Sequence, residues 1–291
     1  MKLDQFLKVV RKATVAVPFP EDEAILETCK TAADQNWARF LFIGNPESIE
    51  RSAGKAGLNP VSYECESAEN EIEACALTAE RVREGKAQIA MKGQVHTGEF
   101  SRALFSKSAG LLEPGRLVSH IALCQVASYH KLLFLTDCAI NIQPYYDDKV
   151  RILDNAVILA QKLGIPHPKV GLVAPVETVN PKITSTIDAE RLRREYDPER
   201  AVLGGPFGLD VAISTEAARI KKIESPVAGD ADILLFPELN SGNAVYKTLT
   251  VLAGASIAGL LAGLKVPVVV TSRADSAETK LLSLKLSLAS V

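Results

Sequence analysis

The sequence has no surplus of either charge, with 33 Lys and Arg against 35 Asp and Glu. Bulk charge therefore builds no polyanion-binding face, and nucleic acid is excluded as an expected partner. Cysteine is scarce. Cys29, Cys65, Cys75, Cys124 and Cys138 are odd in number and form no C-x-x-C pair, the pattern of reduced thiols in a cytoplasmic protein. Long hydrophobic runs are missing too. The most apolar stretch, Val251 to Leu264, is too short to span a bilayer and is broken up by glycine and alanine, so no membrane segment is expected. The opening MKLDQFLKVVRKA carries charges among its few apolar residues, unlike a secretory leader. His96, His120, His130 and His167 have no metal-ligand spacing and Asp147-Asp148 is an isolated pair, so no metal site is expected. No G-x-G-x-x-G follows an early strand, which removes the dinucleotide fingerprint. Gly254 and Gly259 have the spacing of a phosphate loop without its Lys-Ser/Thr, and Gly254-Ala255-Ser256-Ile257-Ala258 falls one residue short of a nucleophile elbow.

What is present is a chain of 291 residues, 47% of them apolar, enough for one large α/β domain or two smaller ones. Strand-like and helix-like segments alternate from Thr14 to Lys107, which predicts a mostly parallel sheet covered by helices on both faces. Leu117–Val126 and Leu132–Thr136 break the alternation as an antiparallel hairpin and form the expected seam between two α/β halves. Alternation then resumes, with predicted helices over Lys149–Leu163, Asp188–Tyr196, Val211–Lys222 and Asn243–Ala262. The last of these combines Val245, Leu249, Leu252 and Ile257 with small residues and is apolar nearly all round, so it is expected to be buried in a core or against a partner. The domains are expected at 1–134 plus 268–291 and at 135–267.

The chain is organised around VPVVVTSRADSAETK, Val266 to Lys280. A β-branched strand ends in hydroxyl, guanidinium and carboxylate and then opens a helix. Free N–H groups at the helix start and the two-pronged Arg273 suit phosphate or carboxylate; equally, Asp275 or Ser276 caps the helix while Arg273 faces solvent. Similar polar loops follow other strands: Lys92-Gly93 with His96-Thr97-Gly98, then Glu177 to Pro181, then Pro237 to Asn243. Ligands collect beyond the carboxyl ends of strands in open α/β sheets, so these loops are the expected walls of a cleft suited to a phosphate or acyl phosphate.

MKGQVHTGEFSRALF at 91–105, SHIAL at 119–123, TDCAIN at 136–141 and VAPVETVNPKITSTIDA at 173–189 resemble the phosphate acetyltransferase and phosphate butyryltransferase family. GGPFGLDVAIS at 204–214, SPVAGDADILLFPELNSGNAVYK at 225–247 and VPVVVTSRADS at 266–276 extend the likeness in the same order. Met91-Lys92-Gly93 and Ser272 to Ser276 are closer to the butyryl branch. The resemblance implies a two-domain α/β/α fold with mostly parallel sheets, isocitrate/isopropylmalate-dehydrogenase-like. It also implies a homodimer joined through the second domain, and an acyl group exchanged in the cleft between coenzyme A, a substrate, and phosphate. No bound cofactor is implied.

The same resemblance marks Ser272 and Arg273 as the catalytic pair, Ser272 donating to the carbonyl oxygen and Arg273 holding the phosphoryl group. The substrate-binding set is Lys92, His96, Thr97, Gly98, Arg102, Asn243 and Lys247. The acetyl branch places an aspartate base where this chain has Glu278-Thr279, so Asp275, Glu278 and His96 stay open as the base. Two alternatives stand beside this reading. One is a decarboxylating dehydrogenase dependent on metal and nicotinamide, which needs an aspartate cluster. The other is a non-catalytic protein binding acyl-CoA or phosphate.

Overall fold

The computed structural model describes residues 2–272 and 275–291. They fall into two compact units, Asp4–Val118 with Ala258–Val291, and Ser119–Ile257, to which Leu3 also belongs.

The first unit begins with α1 (Leu3–Phe6), β1 (Ala13–Pro18), α2 (Glu23–Asp34), β2 (Ala38–Gly44) and α3 (Pro46–Lys55), followed by β3 (Tyr63–Ser67), α4 (Glu71–Arg83), β4 (Ile89–Met91) and α5 (Thr97–Phe105). The strands run parallel in the order β3-β2-β1-β4. The predicted alternation holds because each crossover helix has a start signal. The side chains of Asp22, Asn45 and Asn70 accept from the N–H groups of Ile25, Ser48 and Glu73, caps worth about 1 kcal/mol apiece. Val15, Phe40, Phe42, Ile89 and Met91 supply the sheet side of the core.

In the second unit β5 (Ser119–Gln125) and β6 (Leu133–Thr136) form the expected antiparallel hairpin, Ala122 opposite Leu135. Then come α6 (Tyr146–Lys162), β7 (Lys169–Val173), α7 (Thr184–Glu195), β8 (Val202–Phe207), α8 (Leu209–Ile213), α9 (Thr215–Ile220), β9 (Ile233–Leu235) and α10 (Leu239–Lys247). The order is β5-β6-β9-β7-β8, parallel from β6 onward. The chain closes with β10 (Ser256–Ala262), β11 (Val268–Val269) and α11 (Ala277–Ala289). In the first unit β11 lies parallel beside β4, with Val268 opposite Ala90, and antiparallel to β10, with Leu261 opposite Val268.

Two expected helices are corrected. The predicted helix Asn243–Ala262 is instead α10, a π-helical turn over Thr248–Leu252, and strand β10. Gly254 takes φ +59°, a left-handed conformation that glycine adopts at no steric cost and that ends the helix. Beyond it Ile257 to Leu261 are buried on both faces, and a continuous apolar run of that kind carries no period to distinguish strand from helix. Val251 and Leu252, in the stretch expected to be buried in a core or against a partner, are 75% and 82% exposed in the single chain. The predicted helix Val211–Lys222 breaks at Ser214, whose backbone is extended and whose hydroxyl caps α9 by accepting from Ala217 N–H. Gly229 packs against the break so closely that a Cβ on it would lie 2.4 Å from Thr215 N. No helix among the described residues is long and apolar enough to cross a membrane.

Candidate active site

Lys92 and Gly93 leave β4 where the chain must pass under the end of β1. A Cβ on Gly93 would stand 1.8 Å from the Pro18 carbonyl oxygen, so only glycine fits. Lys92 N donates to Val269 O at 2.9 Å and Gln94 N to Phe19 O at 2.6 Å, which fixes this loop between β1 and β11. Across from it β11 runs out into Thr271 and Ser272. Together with Asp22 and Ile25 at the start of α2, these segments enclose a cavity of about 180 Å³, well above the ~10–15 Å³ that one water occupies.

Two lysines line this cavity, and both are buried. Lys92 is 6% exposed, its Nζ 3.2 Å from the Gly93 carbonyl oxygen, and Lys280 is 3% exposed. Buried ammonium groups demand compensation, and a cavity lined by two of them favours an anion. Ser272, on the same wall, is tied to Asp275. Ser272 N–H donates to Asp275 Oδ2 at 2.7 Å, and Asp275 N–H donates back to Ser272 O at 3.1 Å. Ser276 caps α11 by accepting from Thr279 N–H at 3.2 Å. Ser276 is thus the cap, Asp275 is bonded to Ser272, and Ser272 lines the cavity. A base role for Asp275 competes with its bond to the Ser272 amide. Arg273 lies outside the described residues.

Of the other expected residues, His96 starts α5 at the surface, its Nδ1 2.8 Å from Glu71 Oε1. Thr97 and Gly98 follow, both exposed, and a Cβ on Gly98 would meet nothing within 4 Å. Arg102 is exposed and pairs with Glu99 at 2.6 Å. None of these four lines the cavity. Glu278 is exposed in the first turn of α11.

Asn243 and Lys247 belong to α10 in the second unit. Asn243 Nδ2 donates to Cys138 O at 3.0 Å, and Gly242 passes so near Asp137 that a Cβ would lie 2.2 Å from its carbonyl oxygen. Asp137 is 4% exposed, and its carboxylate accepts from the N–H groups of Ala139, Ile140 and Asn141. Burial pushes the Glu238 carboxyl up, but the N–H groups of Ser241 and Asn240 outweigh it and hold the group below the usual carboxylate range. Asn243 thus staples α10 onto the turn after β6. Lys247 is exposed, its Nζ 5.2 Å from the centre of the Tyr246 ring.

Lys280 escaped the sequence reading because a lysine on an amphipathic helix ordinarily marks the solvated face. One signal was available: a cation in the first turn of a helix opposes the macrodipole and so calls for a reason. Burial pushes the Cys75 thiol up to about 12 and Cys65 up to about 11, and raises Cys29, Cys124 and Cys138 as well. Among the described residues no group of three or more His, Cys, Asp or Glu side chains is placed to hold a metal ion.

A family model described as "Phosphate acetyl/butaryl transferase" matches residues 61–286. The chain belongs to this family. It is 41% identical to a phosphate butyryltransferase of Clostridium beijerinckii, covering 97% of this chain and 94% of that one. It is 37% identical to a phosphate acetyltransferase of Rhizobium meliloti over 97% of this chain and 91% of that one. A crystal structure of a branched-chain phosphotransacylase from Enterococcus faecalis superposes with a TM-score of 0.85 at 32% identity, covering 95% and 98% of the two chains. Membership in the phosphate acetyl/butaryl transferase family makes the chain an acyltransferase, and the dehydrogenase alternative is not favoured.

Proposed function

We propose that this chain exchanges a short acyl group, butyryl or branched-chain in preference to acetyl, between coenzyme A and inorganic phosphate. The observation that carries the reading is the cavity where Lys92 and Gly93 of one family motif meet Thr271 and Ser272 of another, with two buried ammonium groups on its wall. A phosphate oxygen attacks the thioester carbonyl, the C–S bond breaks, and coenzyme A leaves as thiolate to be protonated; the reverse direction retraces these steps. Lys92 offsets the phosphate's charge, Ser272 donates to the carbonyl oxygen as it becomes an oxyanion, and Arg273 binds the phosphoryl group. His96, Thr97, Gly98, Arg102, Asn243 and Lys247 are kept in the substrate-binding set that the family resemblance implies. The protein works in the cytoplasm, without a bound cofactor or metal, as a homodimer built on its second unit.

The test is release of thiol from acetyl-, propionyl-, butyryl- and isobutyryl-CoA with phosphate as acceptor, before and after chelation. Each methylene that finds an apolar wall is worth about 0.8 kcal/mol, so butyryl should exceed acetyl by roughly tenfold in kcat/KM. Acetyl loses contacts but meets no clash, and remains a poor, measurable substrate. A series falling from acetyl upward refutes the butyryl preference. No phosphate-dependent release from any of the four refutes the activity.

A further inference from the structure

The helix α11 carries two buried lysines whose partners differ in kind. Lys285 is held by the Asp4 carboxylate at 2.5 Å and lies 4.9 Å from the Trp37 ring centre, an ordinary structural ion pair. In the second unit the buried Lys149 is likewise paired, with Asp188 at 2.6 Å. Lys280 has no such carboxylate among the described residues. Its Nζ donates to two main-chain oxygens, Asp275 O at 2.6 Å and Ser272 O at 3.4 Å.

Those two bonds leave one of the three ammonium N–H donors for whatever occupies the cavity that Lys280 lines. They also reach both ends of the turn that carries Ser272. The location is electrostatically unfavourable: the side chain is 3% exposed, sits in the first turn of α11, and faces a cavity that already holds Lys92. An apolar side chain of the same length would fold there at less cost. Asp22 also lines the cavity, its Oδ1 accepting from Ile25 N–H at 3.1 Å, so one carboxylate faces two ammonium groups and a bound anion supplies the second negative charge.

Resting on the phosphotransacylase reading, we propose that Lys280 is a positioning residue that couples phosphate binding to the placement of Ser272. Its ammonium ties the Ser272 and Asp275 carbonyls from behind and presents its remaining N–H toward the phosphate. Lys280 acts through the turn and is not itself the nucleophile, acid or base.

The experiment compares wild type, Lys280→Met and Lys280→Arg in two measurements: initial rates with butyryl-CoA and phosphate, and melting temperature across an inorganic phosphate titration. Lys280→Met should lose roughly a hundredfold in kcat/KM for phosphate while KM for butyryl-CoA stays within about twofold. Without phosphate it should melt at or above the wild-type temperature, and the phosphate-induced rise in melting temperature should vanish. Lys280→Arg should recover part of both.

Phosphate kcat/KM within about threefold of wild type in Lys280→Met overturns the proposal. So does a Lys280→Met that fails to fold, or that melts lower than wild type yet keeps its phosphate response, because the lysine then serves the fold alone. A wild type that exchanges no acyl group refutes the phosphotransacylase reading instead. The phosphate-dependent melting of wild type against Lys280→Met then still decides whether Lys280 answers to the anion.

Discussion

Position 273 carries the heaviest chemical load assigned to any side chain here. A guanidinium presents parallel donors to a phosphoryl group, and those bonds strengthen as charge moves onto the leaving oxygen. Arg273→Ala should lower kcat/KM by roughly a hundredfold, about 3 kcal/mol, with an unchanged melting temperature. Activity within a few-fold of wild type would remove Arg273 from the mechanism. At this scale the sequence was legible only in part, since His96, Thr97 and Gly98 follow the same strand end as Lys92 yet do not line its cavity. Lys92 and Ser272 come together on one cavity as the strand-end loops suggested. Lys280 was hidden because its interest lies in being buried with main-chain oxygens and no carboxylate as partners among the described residues, which only three-dimensional neighbours reveal. Asp275 was visible as a carboxylate, yet its bond to the Ser272 amide, which a base role must break, depends on a turn geometry that residue identity does not specify.

Elements were readable where their period was clear and their ends were signalled. Capped helices such as α2, α3 and α4 fall where Asp22, Asn45 and Asn70 announce them. The stretch from 243 to 262 was misread because uniform apolarity fits a buried strand and a buried helix equally well, and Gly254 was the one local clue. A different element-level feature yields a pH prediction. Asp230, ahead of β9, is gripped by Lys169 of β7 at 2.6 Å, by Lys131 at 2.9 Å and by the His130 ring at 2.8 Å. Burial pushes its carboxyl up, but hydrogen bonds from Lys169, Lys131 and His130 outweigh it and hold the group far below the ordinary carboxylate value. A carboxyl depressed in the folded state contributes stability that is complete above its unfolded value of about 3.9 and fades as pH falls below it. Asp230→Asn should therefore lower the melting temperature near neutral pH, and the gap from wild type should narrow as the buffer is acidified to about pH 3. A gap that stays constant across that range would show that the loss is one of packing.

For the whole molecule, the fold class was available from alternation alone, and the family from motifs spread over most of the chain. Association is a separate matter. Val251 and Leu252 stand 75% and 82% exposed at the end of α10, with Ile142 and Tyr145 of the same unit 70% and 83% exposed. Apolar side chains so placed favour a protein partner over water, which supports the proposed homodimer on the second unit. Light scattering at micromolar protein should return twice the chain mass, and Leu252→Asp should shift the population toward the single chain. A wild type that scatters as a single chain would refute the dimer.

The two compact units also differ in how the ribosome delivers them. Ser119–Ile257 arrives as one unbroken stretch, whereas the unit around the cavity is divided between residues 4–118 and 258–291. Its sheet needs β11 beside β4, its core needs Leu284 and Leu288, and Lys285 must reach back to Asp4, a bond spanning 281 positions. Domains ordinarily fold in order of synthesis, N-terminal first. Here the N-terminal segment must wait, and the later-made unit can finish while its neighbour is incomplete. Ser272 and Lys280 lie in the second of those two segments, so a chain stalled before residue 258 carries no assembled anion cavity. Assembly of the cavity thus waits on a segment made after the whole of the other unit.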